Sequence, residues 1–137
     1  MKTFVFLGCA LVLGMATHVF AQARSTAEGV FTEDQAKNGE AAYQSRCASC
    51  HGDDLHSTDA EAPDLTDGSF KVWAGKTLAE RFETIRNNMP PPAGGGFDDQ
   101  TYLDVVTYIL KFNGVPSGKQ KLEPKIDILK QIVIAIP

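Results

Sequence analysis

Cysteine is scarce in this chain, with three in 137 residues, too few for a scaffold stapled by several disulfides. Basic charge is in deficit: 13 Lys and Arg stand against 17 Asp and Glu, which removes nucleic acid from the expected partners. Methionine is rare, and of Met1, Met15 and Met89 only the last lies beyond residue 23. No internal repeat, no low-complexity stretch and no nucleophile with a matching base can be picked out. Nucleophilic catalysis is therefore not expected, and the chain is read as something other than an enzyme.

What is present at the start is a targeting pattern. Lys2 is followed by an uncharged stretch from Thr3 to Ala23, with an apolar block from Phe4 to Ala16 and Ala21-Gln22-Ala23 as a small-residue cleavage site. A membrane span needs about 20 consecutive apolar residues, and His18 and Gln22 interrupt this one. The reading is a signal peptide over residues 1–23, export, and a periplasmic product; membrane contact arises only if this segment is retained. Its removal takes away Lys2 and Cys9, leaving 114 residues with 12 basic and 17 acidic side chains, a net charge of −5, and no structural disulfide. That length fits one domain with one core.

The remaining two cysteines sit in Cys47-Ala48-Ser49-Cys50-His51. On roughly helical backbone these cysteines fall at i and i+3 and the histidine at i+4, on one face. Two sulfurs can then form thioethers to one porphyrin edge while the imidazole reaches the iron, the pattern of one covalently attached haem c. A zinc site would draw on Cys47, Cys50, His51 and His56, but Cys50 and His51 are adjacent and there is no second close pair of ligands further on. A thioredoxin-like pair would want a βαβ setting, whereas helix and acidic loop flank these cysteines.

Along the chain, residues 24–31 look like a loose lead-in. Thr32-Glu33-Asp34-Gln35 is a capping box that opens a helix to about Cys47, with a thin inward stripe of Ala36, Gly39, Tyr43 and Cys47. A glycine inside a helix costs about 1 kcal/mol against alanine, and either chance or close approach of another helix explains Gly39. Residues 52–68 read as an irregular acidic loop. A carbonyl near Pro63 is free there to accept from the far nitrogen of His51 and fix its tautomer. Leu65, Phe70 and Trp73 offer apolar surface to the cofactor; for the Trp73 indole both core packing and a haem propionate stand as readings.

Thr77-Leu78-Ala79-Glu80 is a second capping box, opening a helix through about Asn88. Pro90, Pro91 and Pro92 forbid helix after Met89 and stiffen the chain beyond it in an extended form. Packing is the bland role for this methionine. Held where a helix stops in a rigid loop, it is also suited to be the second axial ligand, completing a His/Met pair with His51. His56, five residues from His51, would struggle to reach the other side of the ring. After the glycines at 94–96, Asp98 caps a last helix whose Tyr102, Val105, Val106, Ile109 and Leu110 form a buried stripe. Asn113-Gly114 ends it. This helix is expected to cross the first near Gly39 and Tyr43. Residues 115–137 promise a short helix over Pro124 to Lys130 and a strand over Gln131 to Ile136, either wrapped on the domain or exposed for a partner.

Taken together, these parts over about Glu33 to Asn113 resemble the class I cytochromes c. The resemblance implies a small all-α domain over residues 32–114 wrapped round one haem, with residues 115–137 as a C-terminal extension. It implies His51 and Met89 as metal ligands, Pro63 orienting the histidine, and Gly39 meeting Tyr108. Phe70 to Trp73, the Met89-Pro90 loop and the segment Asn113 to Gly118 are also similar to the small cytochromes that accompany PQQ quinoprotein dehydrogenases. The function implied is one-electron transfer, with a quinoprotein dehydrogenase as donor and a terminal oxidase or another cytochrome as acceptor. The other reading is a haem-based sensor in which a small ligand displaces Met89.

Overall fold

The computed structural model describes residues 24–92 and 94–137; the signal peptide expected over 1–23 lies outside the described residues. In chain order the elements are β1 (Arg24–Ser25), a 3-10 turn (Thr26–Glu28), α1 (Glu33–Arg46), α2 (Ala48–His51), α3 (Asp67–Lys71), α4 (Leu78–Asn88), α5 (Asp99–Phe112), α6 (Ile126–Leu129) and β2 (Ile132–Val133). Among the described residues, no helix is long and apolar enough to cross a membrane.

Both capping boxes form as their sequences require. Thr32 Oγ1 accepts from Gln35 N while the Gln35 side chain accepts from Thr32 N, and Thr77 and Glu80 do the same at the head of α4. Asp98 accepts from Thr101 N to start α5. The last helix is the centre of the molecule. Every residue from Tyr102 to Leu110 is buried, so α5 is covered on all sides rather than along one stripe.

The closest of its partners is α1, and Gly39 is why. A Cβ on Gly39 would lie 1.9 Å from the Asp104 carbonyl oxygen and 2.9 Å from Val105 N, so the two backbones touch at this crossing. The resemblance had Gly39 meeting Tyr108; the nearest atoms are instead the α5 backbone one turn earlier. Tyr108 packs against Tyr43, with ring centres 5.2 Å apart. Two polar residues are buried at the same crossing, and they satisfy each other. Asp104 Oδ1 accepts from Gln35 Nε2 at 3.0 Å and from Gln100 Nε2 at 2.8 Å.

The two chain ends depart most from expectation. The lead-in is not loose: Val30 is 2% exposed, Phe31 is fully buried, and Ser25 and Glu28 close a capping box of their own. The reason is the tail, which returns to it. Gly118 N donates to Phe31 O at 2.6 Å, and a Cβ on Gly118 would lie 1.8 Å from the Gly29 carbonyl oxygen. Leu122 is then gripped from both sides by one buried side chain, donating its N–H to Gln35 Oε1 at 2.7 Å and accepting from Gln35 Nε2 at 3.0 Å. Beyond α6, β2 pairs in parallel with β1, Arg24 opposite Ile132 and Ser25 opposite Val133. On its other side β2 meets the turn before α4, where Gly75 N donates to Ile134 O and Ile134 N to Lys76 O. Leu122, Leu129, Ile132 and Ile134 join the same core as α4 and α5.

Candidate functional site

α1 ends at Arg46, and Cys47 is at once its C-cap and the N-cap of α2. Cys47 N donates to Tyr43 O at 2.7 Å and His51 N to Cys47 O at 2.9 Å. The motif is therefore helical across the join, which puts residues 47, 50 and 51 on neighbouring faces of one turn. Tyr43 fixes the far end by donating its hydroxyl to Gly52 O at 2.7 Å. Burial, aided by the nearby Cys47, raises the Tyr43 pKa well above the usual tyrosine value, so this donor keeps its proton.

His51 is 8% exposed, and its Nδ1 lies 2.9 Å from Pro63 O. A carbonyl can only accept, so Nδ1 carries the proton and Nε2 is left with a free lone pair. The Pro63 segment is itself pinned. Leu65 N donates to Leu55 O at 2.9 Å, and Asn113 Nδ2, at the end of α5, donates to Leu65 O at 2.9 Å. Sequence reasoning did not find Asn113 beyond its role in stopping the helix.

The chain leaves α4 at Met89, whose backbone is extended at φ −120 and ψ 138, as a residue before proline must be. Met89 N closes the last turn of α4 on Ile85 O at 2.8 Å, and the Tyr102 hydroxyl donates to Met89 O at 2.8 Å. Tyr102 is a second residue whose part was missed, because its place on a buried stripe explains it without any hydrogen bond.

These segments enclose a cavity of about 340 Å³. Cys47, Cys50, His51, Pro63, Trp73 and Met89 all line it, with Leu65, Ile85, Val105 and Ile109 adding apolar wall. Its mouth is open at Val72, which is 62% exposed, and at Cys50, also exposed. Phe70 is buried but stands behind Trp73, ring centres 5.4 Å apart, and is not part of the wall. His56 is also outside the wall: it is an exposed residue with Nδ1 3.1 Å from Thr66 Oγ1.

The donor set decides what such a cavity holds. Among the described residues, no group of three His, Cys, Asp or Glu side chains converges as a metal site. Burial, with a smaller contribution from Cys50, pushes the Cys47 thiol up to about 11. A redox-active pair needs a lowered thiol pKa, so a thioredoxin-like role does not fit. A slot with apolar walls, two thiols at its rim and an imidazole with Nε2 free does fit a flat macrocycle whose iron takes nitrogen and whose edge takes sulfur.

One wall residue is out of keeping with the rest. Arg81 of α4 sits with Cζ 5.6 Å from the centre of the Trp73 ring, and its Nε is buried without a hydrogen-bond partner. Leaving a buried donor unpaired costs about 1–3 kcal/mol. Nothing in the sequence marked Arg81, since arginine on a helix is ordinarily a solvated residue.

Among curated proteins and solved structures, none matches this chain. The family model described as cytochrome C oxidase, cbb3-type, subunit III matches residues 34–109, a span that runs from the first turn of α1 through the motif, the Pro63 segment and Met89 to Ile109 on α5. With more than half of its length so matched, the chain belongs to this family of c-type cytochromes, a monohaem protein with haem c attached through Cys47 and Cys50.

Proposed function

We propose that this haem-based electron carrier works by one-electron transfer, with His51 and Met89 as the two axial ligands. The observation that supports this best is the placing of His51 and Met89 on one apolar wall system, with Nδ1 of His51 held on Pro63 O and Nε2 left free. Haem c supplies the ferric/ferrous couple; a His/Met pair raises its potential and leaves no open position for oxygen or peroxide. The residues round it orient and exclude. Pro63 fixes the tautomer of His51, Tyr102 holds the carbonyl of Met89, and Leu65, Ile85 and Ile109 keep water from the wall. Cys50 and Val72 at the mouth mark the edge through which electrons leave to a redox protein partner. In this reading residues 1–23 are removed near Ala23, the product is periplasmic, and it is not an enzyme. The donor is a dehydrogenase such as a quinoprotein, and the acceptor a terminal oxidase or another cytochrome. Docking of this kind is weak and salt-sensitive.

Met89→Ala tests the ligand set. The ferric wild-type protein is expected to show the weak near-infrared sulfur-to-iron band. The variant is expected to lose that band, drop in potential, and bind carbon monoxide in the ferrous state. A variant with an unchanged spectrum removes Met89 from the iron, and a wild-type protein that takes up carbon monoxide readily would support the sensor reading instead. Tyr102→Phe is expected to keep the band but loosen the loop. Losing one hydrogen bond worth about 1 kcal/mol lets exogenous imidazole displace the sulfur roughly fivefold more readily. Imidazole titration of the ferric protein measures this, and an affinity equal to that of the wild type would show that Tyr102 does not restrain Met89.

A further inference from the structure

α5 places a hydrogen-bond donor on each of the two loops that line the cavity. Tyr102, in its first turn, donates to Met89 O, and Asn113, its C-cap, donates to Leu65 O. The two residues are eleven apart, about three turns at 3.6 residues a turn, so they leave the helix on the same side. Asn113 does more than stop the helix. Its Nδ2 bonds Ile109 O at 2.8 Å, four residues back, which is the local role, and also Leu65 O at 2.9 Å, 48 residues away along the chain. Both Ile109 and Leu65 are wall residues of the cavity.

Leu65 stands two residues beyond the carbonyl that receives the Nδ1 proton of His51. Pro63 has no N–H of its own to hold it in place, so its neighbours set where that carbonyl points. The bonds from Leu65 N to Leu55 O and from Ser57 N to Asp64 Oδ1 stay inside the loop between α2 and α3. The Asn113 bond ties that loop to the buried helix. A carbonyl held on the far nitrogen makes an axial imidazole a stronger donor to its metal, and a stronger donor favours the ferric state. Resting on the assignment of His51 as an axial ligand of haem c, we infer that Asn113 is a positioning residue for His51. Through Leu65 it keeps Pro63 O on Nδ1, and so holds the potential below the value that a loosened loop would give. One helix then restrains both ligand loops, Met89 through Tyr102 and His51 through Asn113.

The test uses holoprotein carrying Asn113→Leu and Asn113→Gln, with Gln131→Leu as the control. Gln131 Nε2 donates to Asp127 O, also four residues back, and lies off the cavity wall, so its loss reports the effect of removing a helix-end amide away from the site. In ferrous protein labelled with nitrogen-15, exchange of the His51 Nδ1 proton with water is expected to quicken roughly fivefold in Asn113→Leu, the effect of one lost hydrogen bond, and the potential to rise. Both are expected to keep their wild-type values in Gln131→Leu and to recover in large part in Asn113→Gln, which retains the amide donor. No change in Asn113→Leu, an equal change in Gln131→Leu, or no recovery with glutamine overturns the proposal. Should Asn113→Leu fail to fold, the wild-type protein supplies the second measurement: the side-chain amide of Asn113 is expected to exchange about tenfold or more slowly than that of Gln131, and equal rates overturn it. Wild-type protein that gains no haem by mass overturns the haem assignment as well, whereas haem-loaded protein in which these comparisons fail overturns the role of Asn113 alone.

Discussion

A chain ended at Gly114 is expected to give no cooperative unfolding transition, although it retains every residue proposed to touch the haem. Residues 115–137 contribute Val115, Leu122, Leu129, Ile132 and Ile134 to the core, each no more than 4% exposed. Burying an aliphatic side chain of this size is worth roughly 1.5–3 kcal/mol. Five of them together reach about 7–15 kcal/mol, the same order as the whole net stability of a small domain. The polar losses act in the same direction. Without Leu122, the buried Gln35 loses two of its four side-chain hydrogen bonds, and β1 loses β2, its strand partner among the described residues. Circular dichroism of the shortened protein during heating or urea titration is the measurement. A sharp transition within about 5 °C of the full-length protein, equivalent to about 1 kcal/mol, would show that the tail is a covering and not a component.

That result bears on what could be read from the sequence. The motif at Cys47 to His51, the capping boxes at Thr32 and Thr77 and the prolines after Met89 are local instructions. They act within four residues or so, and the structure caps the helices and stops α4 where they are written; beyond Met89, however, the prolines do not run extended as expected but sit in a turn closed by Gly94 N donating to Pro90 O. The stripe of α5 was legible for the same reason. In the tail, Gln131 to Ile136 is apolar and β-branched, so a strand was legible too, although the structure confines it to Ile132–Val133. What it packs against was not. Its partners, Ser25 and the turn at Gly75 and Lys76, lie more than fifty residues away and leave no periodic trace.

The same difference in range separates the two halves of the site. Pro63 and Met89 could be singled out because proline constrains its own neighbourhood. Tyr102 and Asn113 could not, because each already had an adequate local role, and their bonds to Met89 O and Leu65 O appear only once α5 is folded against those loops. Phe31 is the one miss with a signal that was there to be used. It is apolar and directly precedes the N-cap Thr32, the position of a hydrophobic staple, and it is fully buried. Reading residues 24–31 as loose overlooked it.

Gly39→Ala is expected to be among the most damaging single-methyl changes in the chain. On an isolated helix alanine would be favoured over glycine by about 1 kcal/mol. Here the added carbon would stand 1.9 Å from Asp104 O and 2.4 Å from the carbon that bears it. Both are backbone atoms in a helix buried along its length, so no rotamer change relieves the clash. α1 and α5 must move apart, and that opens voids round Tyr43 and Tyr108 and stretches the bonds between Gln35 and Asp104. Overpacking a core costs typically about 1–3 kcal/mol when side chains can yield, and with backbone on both sides a value at or above the upper end is expected. For a domain of this size that lowers Tm by about 12 °C or more. The damage reaches the site, because α1 leads directly into Cys47 and α5 holds Met89 and Leu65. Thermal unfolding of the haem-loaded variant should therefore be accompanied by a weaker sulfur-to-iron band at temperatures where the wild type is intact. A variant as stable as the wild type, with that band unchanged, would mean that the two helices do not meet backbone to backbone at Gly39.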